Sequence, residues 1–370
     1  FTRSRNGAAN MHAVTCLPVV TGKWKHRGGG ALFSNRELYG VDGTLIKGLD
    51  LVDPNTRALD MSQIGRVLTG DAKALQGGPP VTMLFTQNIN PAEVAPETTR
   101  VIDGMMRDDL FTCVHEQFMT ASAKLADIVL PATMFLEHED MYQGGGHFYL
   151  QVHKALIEPL GECRSNVDVI NGLARRLGSD YPAFHMTAWE LIDDALRRSG
   201  RPGADEVLAE GWIDCTKPFE EAHFLNGFGH GDGKFHFAAD WSKIGADCDA
   251  MSALPDHLDV IDGATDAHPY RLVAAPARRF LNTSSTEMPS SRKKEGRPMA
   301  LVHPDTCKTL GLEEGDRVRL GNDLGDLVVH VRPFDGLQAH TVVVEGIWPN
   351  EALPGGGAAF HDTAIWMRPA

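Results

Sequence analysis

Three short apolar runs in this sequence are each followed by a knot of polar residues. After Val81–Thr86 come Asn88 and Asn90. After Leu110–Val114 come His115, Glu116 and Gln117, with Thr120 opening a helix. After Ile128–Leu130 come Glu137, His138 and Glu139. In an open parallel sheet, ligands bind outside the carboxyl ends of the strands, where these residues would lie. Glu116 suits a ribose hydroxyl pair, and the amides of the helix that Thr120 opens suit a phosphate. The spacing suggests a nucleotide. The same residue types also cap turns, so the pattern alone leaves both readings open.

Other constellations carry less chemistry. His138 stands between Glu137 and Glu139, but sequence neighbours do not converge on one metal ion, so a solvated loop is expected there. His230 and His236 flank a glycine-rich turn, and no zinc site is expected from them. Glu221 precedes His223 without the second His of a zincin motif, and no Gly-x-Ser-x-Gly elbow occurs. No side chain is assigned a catalytic role and none a metal-ligating one. The six cysteines, Cys16, Cys113, Cys163, Cys215, Cys248 and Cys307, include no Cys-x-x-Cys, which excludes a zinc ribbon, a thioredoxin site and a local iron–sulfur motif. They read as reduced, mostly buried thiols. Gly28-Gly29-Gly30 has no strand before it and reads as a flexible turn rather than a phosphate loop.

The elements that would position these groups follow from periodicity. Met11–Val20 reads as a helix ended by Thr21-Gly22. Residues 36–80 are loop-rich, with a short helix at Met61–Leu68. The three apolar runs read as buried strands, with a helix from near Pro96 to Arg107 after the first and one over Thr120–Ala126 after the second. Strand, helix, strand, helix, strand in about fifty residues implies a parallel sheet with right-handed crossovers. Ser165 caps a helix running to Leu177-Gly178, and Thr187 with Glu190 forms a capping box for a second one ending at Gly200. Helical signals fade after about residue 205, and Lys234–Phe237 alternates like an exposed strand. From Tyr270 the chain turns β-rich: Arg317–Leu320, Leu327–Val331 and Thr341–Val344 alternate around Gly and Asp turns, as in a small closed or partly closed barrel.

Composition bounds the function. The 370 residues suggest two or three domains. Hydrophobic residues make up 42% and charged ones 23%, which gives a packed core and excludes a disordered tail, a fibre or a coiled coil. The net charge of −14 argues against a nucleic-acid or anionic-membrane surface. The one compact basic run, Ser291-Arg292-Lys293-Lys294, reads as a solvated loop. No apolar stretch approaches the roughly 18 residues of a membrane span, and no signal peptide is visible. A cytoplasmic location is expected, with a periplasmic one left open.

His115-Glu116-Gln117-Phe118-Met119-Thr120-Ala121-Ser122-Ala123-Lys124-Leu125-Ala126-Asp127-Ile128-Val129-Leu130-Pro131 resembles the C-terminal half of molybdopterin oxidoreductases of the dimethyl sulfoxide reductase class. Asn88-Ile89-Asn90-Pro91 is similar to that family's Asn-x-Asn-Pro turn, and Thr21-Gly22 to its early Thr-Gly signature. Gly161–Arg164, followed by a helix ending in Leu177-Gly178, resembles a further family phrase. In the β-rich part, His303-Pro304-Asp305, Leu310-Gly311, Gly315-Asp316, Val318, Asn322 and Gly325 resemble the family's dinucleotide-binding domain.

The resemblance implies an α/β fold, with a parallel-sheet dinucleotide-binding-like domain over 1–240, a linker over 241–266 and a C-terminal β-barrel over 267–370. It implies a molybdenum (or tungsten) bis(molybdopterin guanine dinucleotide) enzyme performing oxygen-atom or hydride-equivalent transfer. A cofactor-free scaffold of a redox complex, or a hydratase or transhydroxylase using the same cofactor, is the alternative. By resemblance, Asn88, His115, Glu116 and Thr120 line the cofactor and His138 falls at a frequent basic contact. Asn166 replaces an Asp that reads guanine, and its amide offers one acceptor where a carboxylate offers two. Arg3 falls where relatives often have Gln, Asn350 is the candidate for a family Asn near the end, and His361 replaces a frequent Lys. Ala275–Ser284, with Ala277, Arg279, Asn282, Thr283 and Ser284, would form the barrel loop that touches both dinucleotides. The glycines 144–146 and the stretch Trp348–Phe360 depart from the family pattern. The family's metal-ligating residue and any iron–sulfur cysteines lie upstream of these motifs, and the chain begins at Phe1. An upstream half of the same protein, a small-molecule substrate and an electron-transfer subunit are therefore the expected partners.

Overall fold

A computed structural model of the chain describes residues 7–243, 251–257, 263–323, 325–348 and 363–370. Of the expected site residues, Arg3, Asn350 and His361 lie outside them, as does much of the expected linker. The chain forms two compact units, each from two segments: Phe1–Thr56 with Ala132–Leu258, and Arg57–Pro131 with Asp259–Ala370.

In the second unit, β1 (Met83–Gln87), β2 (Phe111–Glu116) and β3 (Ile128–Pro131) form a parallel sheet in that order. The register pairs Gln87 with His115 and Glu116 with Pro131, so the polar residues after β1 and β2 lie at one end of the sheet, whereas Glu137, His138 and Glu139 belong to the other unit. Pro131 ends the third strand because it has no N–H for a further ladder bond. The expected crossover helix forms as Thr98–Met105, preceded by a separate helical turn at Pro91–Val94, with Glu97 at positive φ between them. Pro96 explains the break, since the residue before a proline is driven out of the helical region. The helix Thr98–Met105 packs on Ile64–Leu68 at very close range. A Cβ on Gly104 would lie 2.4 Å from that of Leu68, so glycine sets the helix spacing. Leu68, Val101, Met105 and Leu110 fill the space between.

In the first unit, β4 (Asp140–Gln143), β5 (Tyr149–His153) and β6 (Ile213–Asp214) make an antiparallel sheet absent from the sequence-based expectation. Leu150 and Val152 point inward and their neighbours outward, a period of two that marks a half-buried strand. The helices Asn166–Arg176, Ala188–Arg198 and Ala204–Glu210 belong to this unit. Ser165 Oγ accepts from Asp168 N at 3.1 Å, and Thr187 with Glu190 forms the expected reciprocal box. The N-terminal segment is stitched in from far away. Tyr39, fully buried, donates from its hydroxyl to His147 O at 2.6 Å, Asn35 Nδ2 donates to Gly144 O at 2.9 Å, and the Arg201 guanidinium donates to Tyr39 O. The glycine triplet is a tight turn rather than a flexible one. Gly30 has φ +102° and lies under the Trp24 ring, where a Cβ would come within 2.6 Å. Lys234–Phe237 is not a strand, for no strand among the described residues pairs with it. Phe235 and Phe237 pack on each other instead, and Phe235 stacks on His12.

The C-terminal strands close into a six-stranded barrel, β7 (Tyr270–Pro276), β8 (Met299–Val302), β9 (Arg317–Asn322), β10 (Gly325–Pro333), β11 (Thr341–Gly346) and β12 (Thr363–Pro369), in the order β10-β8-β11-β7-β12-β9. Closure removes the exposed edges that would otherwise invite pairing with other chains. Val302, Val318, Val329, Val331 and Val342 fill the interior. No helix among the described residues is long and apolar enough to cross a membrane.

Candidate functional site

The carboxyl end of the parallel sheet is where the second unit gathers polar groups. His115, 2% exposed, shares a 2.9 Å hydrogen bond between its Nδ1 and Gln87 Nε2, one strand across. Glu116 is half-buried, and its Oε1 accepts from the neighbouring Gln117 N at 2.7 Å. Asn88 is exposed and holds φ +59°, a left-handed conformation that Asn tolerates better than most side chains. Asn90 turns inward instead and is 3% exposed.

The helix opened by Thr120 differs from expectation. It has four residues, and its first amides are engaged within the protein. Ser122 N donates to Asn90 Oδ1 at 3.1 Å, Ala123 N to Thr120 Oγ1 at 3.3 Å, and Lys124 N to Thr120 O at 3.0 Å. These amides hold the loop rather than a phosphate, so Thr120 acts as a cap. The cause is local: Asn90 and Thr120 bring their own oxygens to donors that a ligand would otherwise meet.

The barrel loop after β7 is firmly built. Ala277 N donates to Gly346 O at 3.0 Å, and the buried Phe280 packs edge-on against Trp348 at 5.0 Å between centroids. Leu281 and Ser284 exchange backbone hydrogen bonds of 2.9 and 3.1 Å, leaving Asn282 (φ +53°) and Thr283 at the tip. Thr286, fully buried, donates from Oγ1 to Thr283 O at 2.6 Å, and Arg279 N donates to the Glu295 carboxylate. Arg279, Asn282 and Ser284 are exposed on this scaffold, and Ala275 pairs with Glu345 in the barrel wall. The guanidinium, amide and hydroxyl groups displayed here, with Asn88 and Glu116 at the sheet end, are exposed or half-exposed donors and acceptors able to meet phosphate and hydroxyl oxygens.

His138 and Asn166 belong to the other unit. There, a cavity of about 490 Å³ is lined by Thr133, Glu137, His138, Asp168, Arg175 and His185 among others. The loop carrying His138 is not a solvated one. Glu137 is 9% exposed, and its two carboxylate oxygens accept from Met134 N at 2.7 Å and Leu160 N at 2.9 Å. His138 Nδ1 shares a 2.8 Å hydrogen bond with Thr133 Oγ1, and Glu139 pairs with Lys154 at 3.0 Å. Each of the three side chains thus has a separate task. Asn166 is the first residue of its helix, next to the Ser165 cap. Among the described residues, no group of three or more His, Cys, Asp or Glu could hold a metal ion. Burial raises the thiol pKa of Cys16, Cys113, Cys215 and Cys307, which makes them poor nucleophiles.

Residues 1–176 match the family described as Molybdopterin oxidoreductase, and residues 270–363 match the Molydopterin dinucleotide binding domain. The chain belongs to the molybdopterin oxidoreductases, in the dimethyl sulfoxide reductase class. It is 31% identical over 352 residues to the "Probable oxidoreductase YoaE" of Bacillus subtilis, covering 94% of this chain and 50% of that one. It is 27% identical over 297 residues to the dimethyl sulfoxide/trimethylamine N-oxide reductase of Rhodobacter capsulatus, covering 73% of this chain and 36% of that one. In fold it matches acetylene hydratase from Pelobacter acetylenicus with a TM-score of 0.63 at 22% identity, over 78% of this chain and 41% of that structure. The chain thus spans about half, or less, of the length of these curated relatives.

Proposed function

We propose that this chain is the part of a molybdenum or tungsten bis(molybdopterin guanine dinucleotide) oxidoreductase that grips the cofactor. The observation that carries the reading is the pairing, in one unit, of a parallel sheet whose first two strands end in adjacent polar groups with a closed barrel presenting a well-braced, donor-rich loop. Asn88, His115 and Glu116 line the cofactor from the sheet, with Thr120, proposed from the sequence, serving there as the cap of its loop, and Ala275, Ala277, Arg279, Asn282, Thr283 and Ser284 line it from the barrel. The family resemblance also assigns cofactor contacts to His138 and Asn166, and to Arg3, Asn350 and His361. The proposed division in sequence is an α/β part over 1–240, a linker over 241–266 and a barrel domain over 267–370.

The bound cofactor supplies oxygen-atom or hydride-equivalent transfer at its metal; the protein's residues bind and orient it. Glu116 accepts from neutral hydroxyls while its carboxylate stays half-exposed, so binding needs little desolvation of a buried charge. Arg279 offers a planar fork to phosphate oxygens, which a lysine would meet only as a point charge. The metal-ligating residue, any iron–sulfur cluster, the substrate and an electron-transfer partner belong in this proposal to the rest of the protein and its complex. A hydratase or hydroxyl-transfer reaction at the same cofactor is the second reading, supported by the 25% identity to the acetylene hydratase of Syntrophotalea acetylenica.

Glu116→Ala in the full-length protein tests the reading. A lost hydrogen bond to a carboxylate is worth about 1.5–3 kcal/mol, so cofactor affinity falls roughly 10- to 150-fold. The fold is retained, because Glu116 bonds only its own neighbour among the described residues. Molybdenum content and guanosine monophosphate released by acid hydrolysis measure occupancy; unchanged values defeat the assignment. Turnover with a redox dye separates oxidoreduction from hydration.

A further inference from the structure

The two loops at the sheet end are joined by a small buried network. Asn90 Oδ1 accepts from both Ser122 N (3.1 Å) and Ser122 Oγ (2.7 Å), across 32 residues of sequence. Asn90 Nδ2 donates to Glu93 Oε2 at 2.9 Å, and Ala92 N donates to Ser122 Oγ at 3.0 Å. Asn90 and Glu93 are each 3% exposed, and Ala92 and Ser122 are fully buried. Every one of these bonds ties the turn after β1 to the turn after β2, or braces a residue that does. Asn90 lies two positions from Asn88, and Ser122 two positions from Thr120. Asn90 and Ser122 are buried and bonded to each other and to their neighbours, so neither faces a ligand.

We infer that Asn90 and Ser122 are positioning residues that lock the two strand-end loops into one clamp, so that the groups on both loops grip the dinucleotide as a unit. This rests on the proposed cofactor site. The physical reason is the low dielectric around the network. Buried hydrogen bonds there are stiff, and an unpaired Asn90 amide would be costly, so neither loop shifts without the other. The left-handed Asn88 is held by a fixed residue on its C-terminal side, which limits the rearrangement open to it when a ligand departs.

A double-mutant cycle in the full-length, cofactor-loaded protein tests the clamp. The readouts are the rate of pterin release, followed by fluorescence of the oxidised pterin, and amide hydrogen exchange over residues 88–94. Ser122→Ala speeds release roughly ten-fold although no ligand is in its reach. It also raises exchange at 88–94, some thirty residues away. The effect of Asn88→Ala shrinks in the Ser122→Ala background, because the residues act through one clamp. Strictly additive effects, or unchanged exchange, overturn the clamp while leaving the cofactor reading intact. Unchanged release in Asn88→Ala and Glu116→Ala alike overturns the cofactor reading and the clamp with it.

Asn90→Asp supplies an independent check, also usable where Ser122→Ala fails to fold. It keeps the oxygen that Ser122 needs but sets a second carboxylate against Glu93. Two adjoining carboxylates share a proton at a raised pKa, which restores the missing donor. Release from this variant therefore slows as pH falls from about 8 to about 5, whereas the parent protein shows no such recovery. A variant whose release does not slow on acidification refutes the network.

Discussion

Glu137→Ala probes the carboxylate that the sequence leaves as part of a solvated loop. In the structure it knits two loops together: its oxygens take the N–H groups of Met134 and Leu160, at 2.7 and 2.9 Å. Leu156 N and Ile157 N both donate to Leu136 O, so the loops lie side by side and the carboxylate closes their far end. Removing it strands two backbone donors. A buried donor left unpaired costs about 1–3 kcal/mol. The Met134 and Leu160 side chains are 40% and 77% exposed, so water can reach part of the gap. That places each donor in the lower half of the range and the total at about 2–4 kcal/mol. Glu137→Gln keeps one acceptor but turns an NH₂ toward the other N–H, so it loses at least half as much. Urea denaturation of the full chain measures the loss, and hydrogen exchange at 134–137 and 156–160 localises it. The adjoining Thr133–His138 bond should loosen as well. A destabilisation below about 0.5 kcal/mol, the range of ordinary surface changes, would refute this account.

Thr187→Ala removes the hydroxyl that accepts from Glu190 N at 3.2 Å and should cost about 1 kcal/mol, with Thr187→Ser largely sparing it; denaturation midpoints decide. His330 in the barrel has its pKa lowered, first by burial and then by Arg297, and its Nδ1 is buried without a partner. The unfolded chain therefore binds the proton more readily, so the barrel is at full stability above the ordinary value of 6.5 and loses stability as pH falls through it toward the folded value. His330→Gln removes this dependence. A difference between parent and variant that stays flat from about pH 7.5 to about pH 5 would show that the burial argument is wrong.

The elements with strong local signals are legible in the sequence alone. Three apolar runs, the Ser165 and Thr187 caps and the barrel's alternating strands all carry their own periodicity or turn chemistry, and each forms where expected. What escaped depends on long-range pairing. Tyr149–His153 alternates clearly, yet its partners lie either side of the helices, at 140–143 and 213–214. Lys234–Phe237 alternates equally well and forms no strand, because its aromatic rings found each other rather than a ladder. At the candidate site, Asn88, His115 and Glu116 fall at the strand ends as the sequence pattern implies, but what each polar side chain bonds there depends on neighbours distant in sequence. Thr120 opens its helix as expected but accepts from Ala123 N, and Glu137, expected in a solvated loop, accepts from Met134 N and Leu160 N. Side-chain capping is decided by which amides come near, and sequence does not show that.

The stitching of Tyr39 has a consequence for how the polypeptide is born. Its backbone partner Arg201 emerges 162 residues later, roughly 10–30 s at ordinary ribosomal speeds. During that interval the whole of Arg57–Pro131, which belongs to the other unit, has already been synthesised and must itself await the barrel. The first unit has all its segments once residue 258 is made, whereas Arg57–Pro131 waits for the barrel, so a chain cut near residue 131 lacks a segment of each unit.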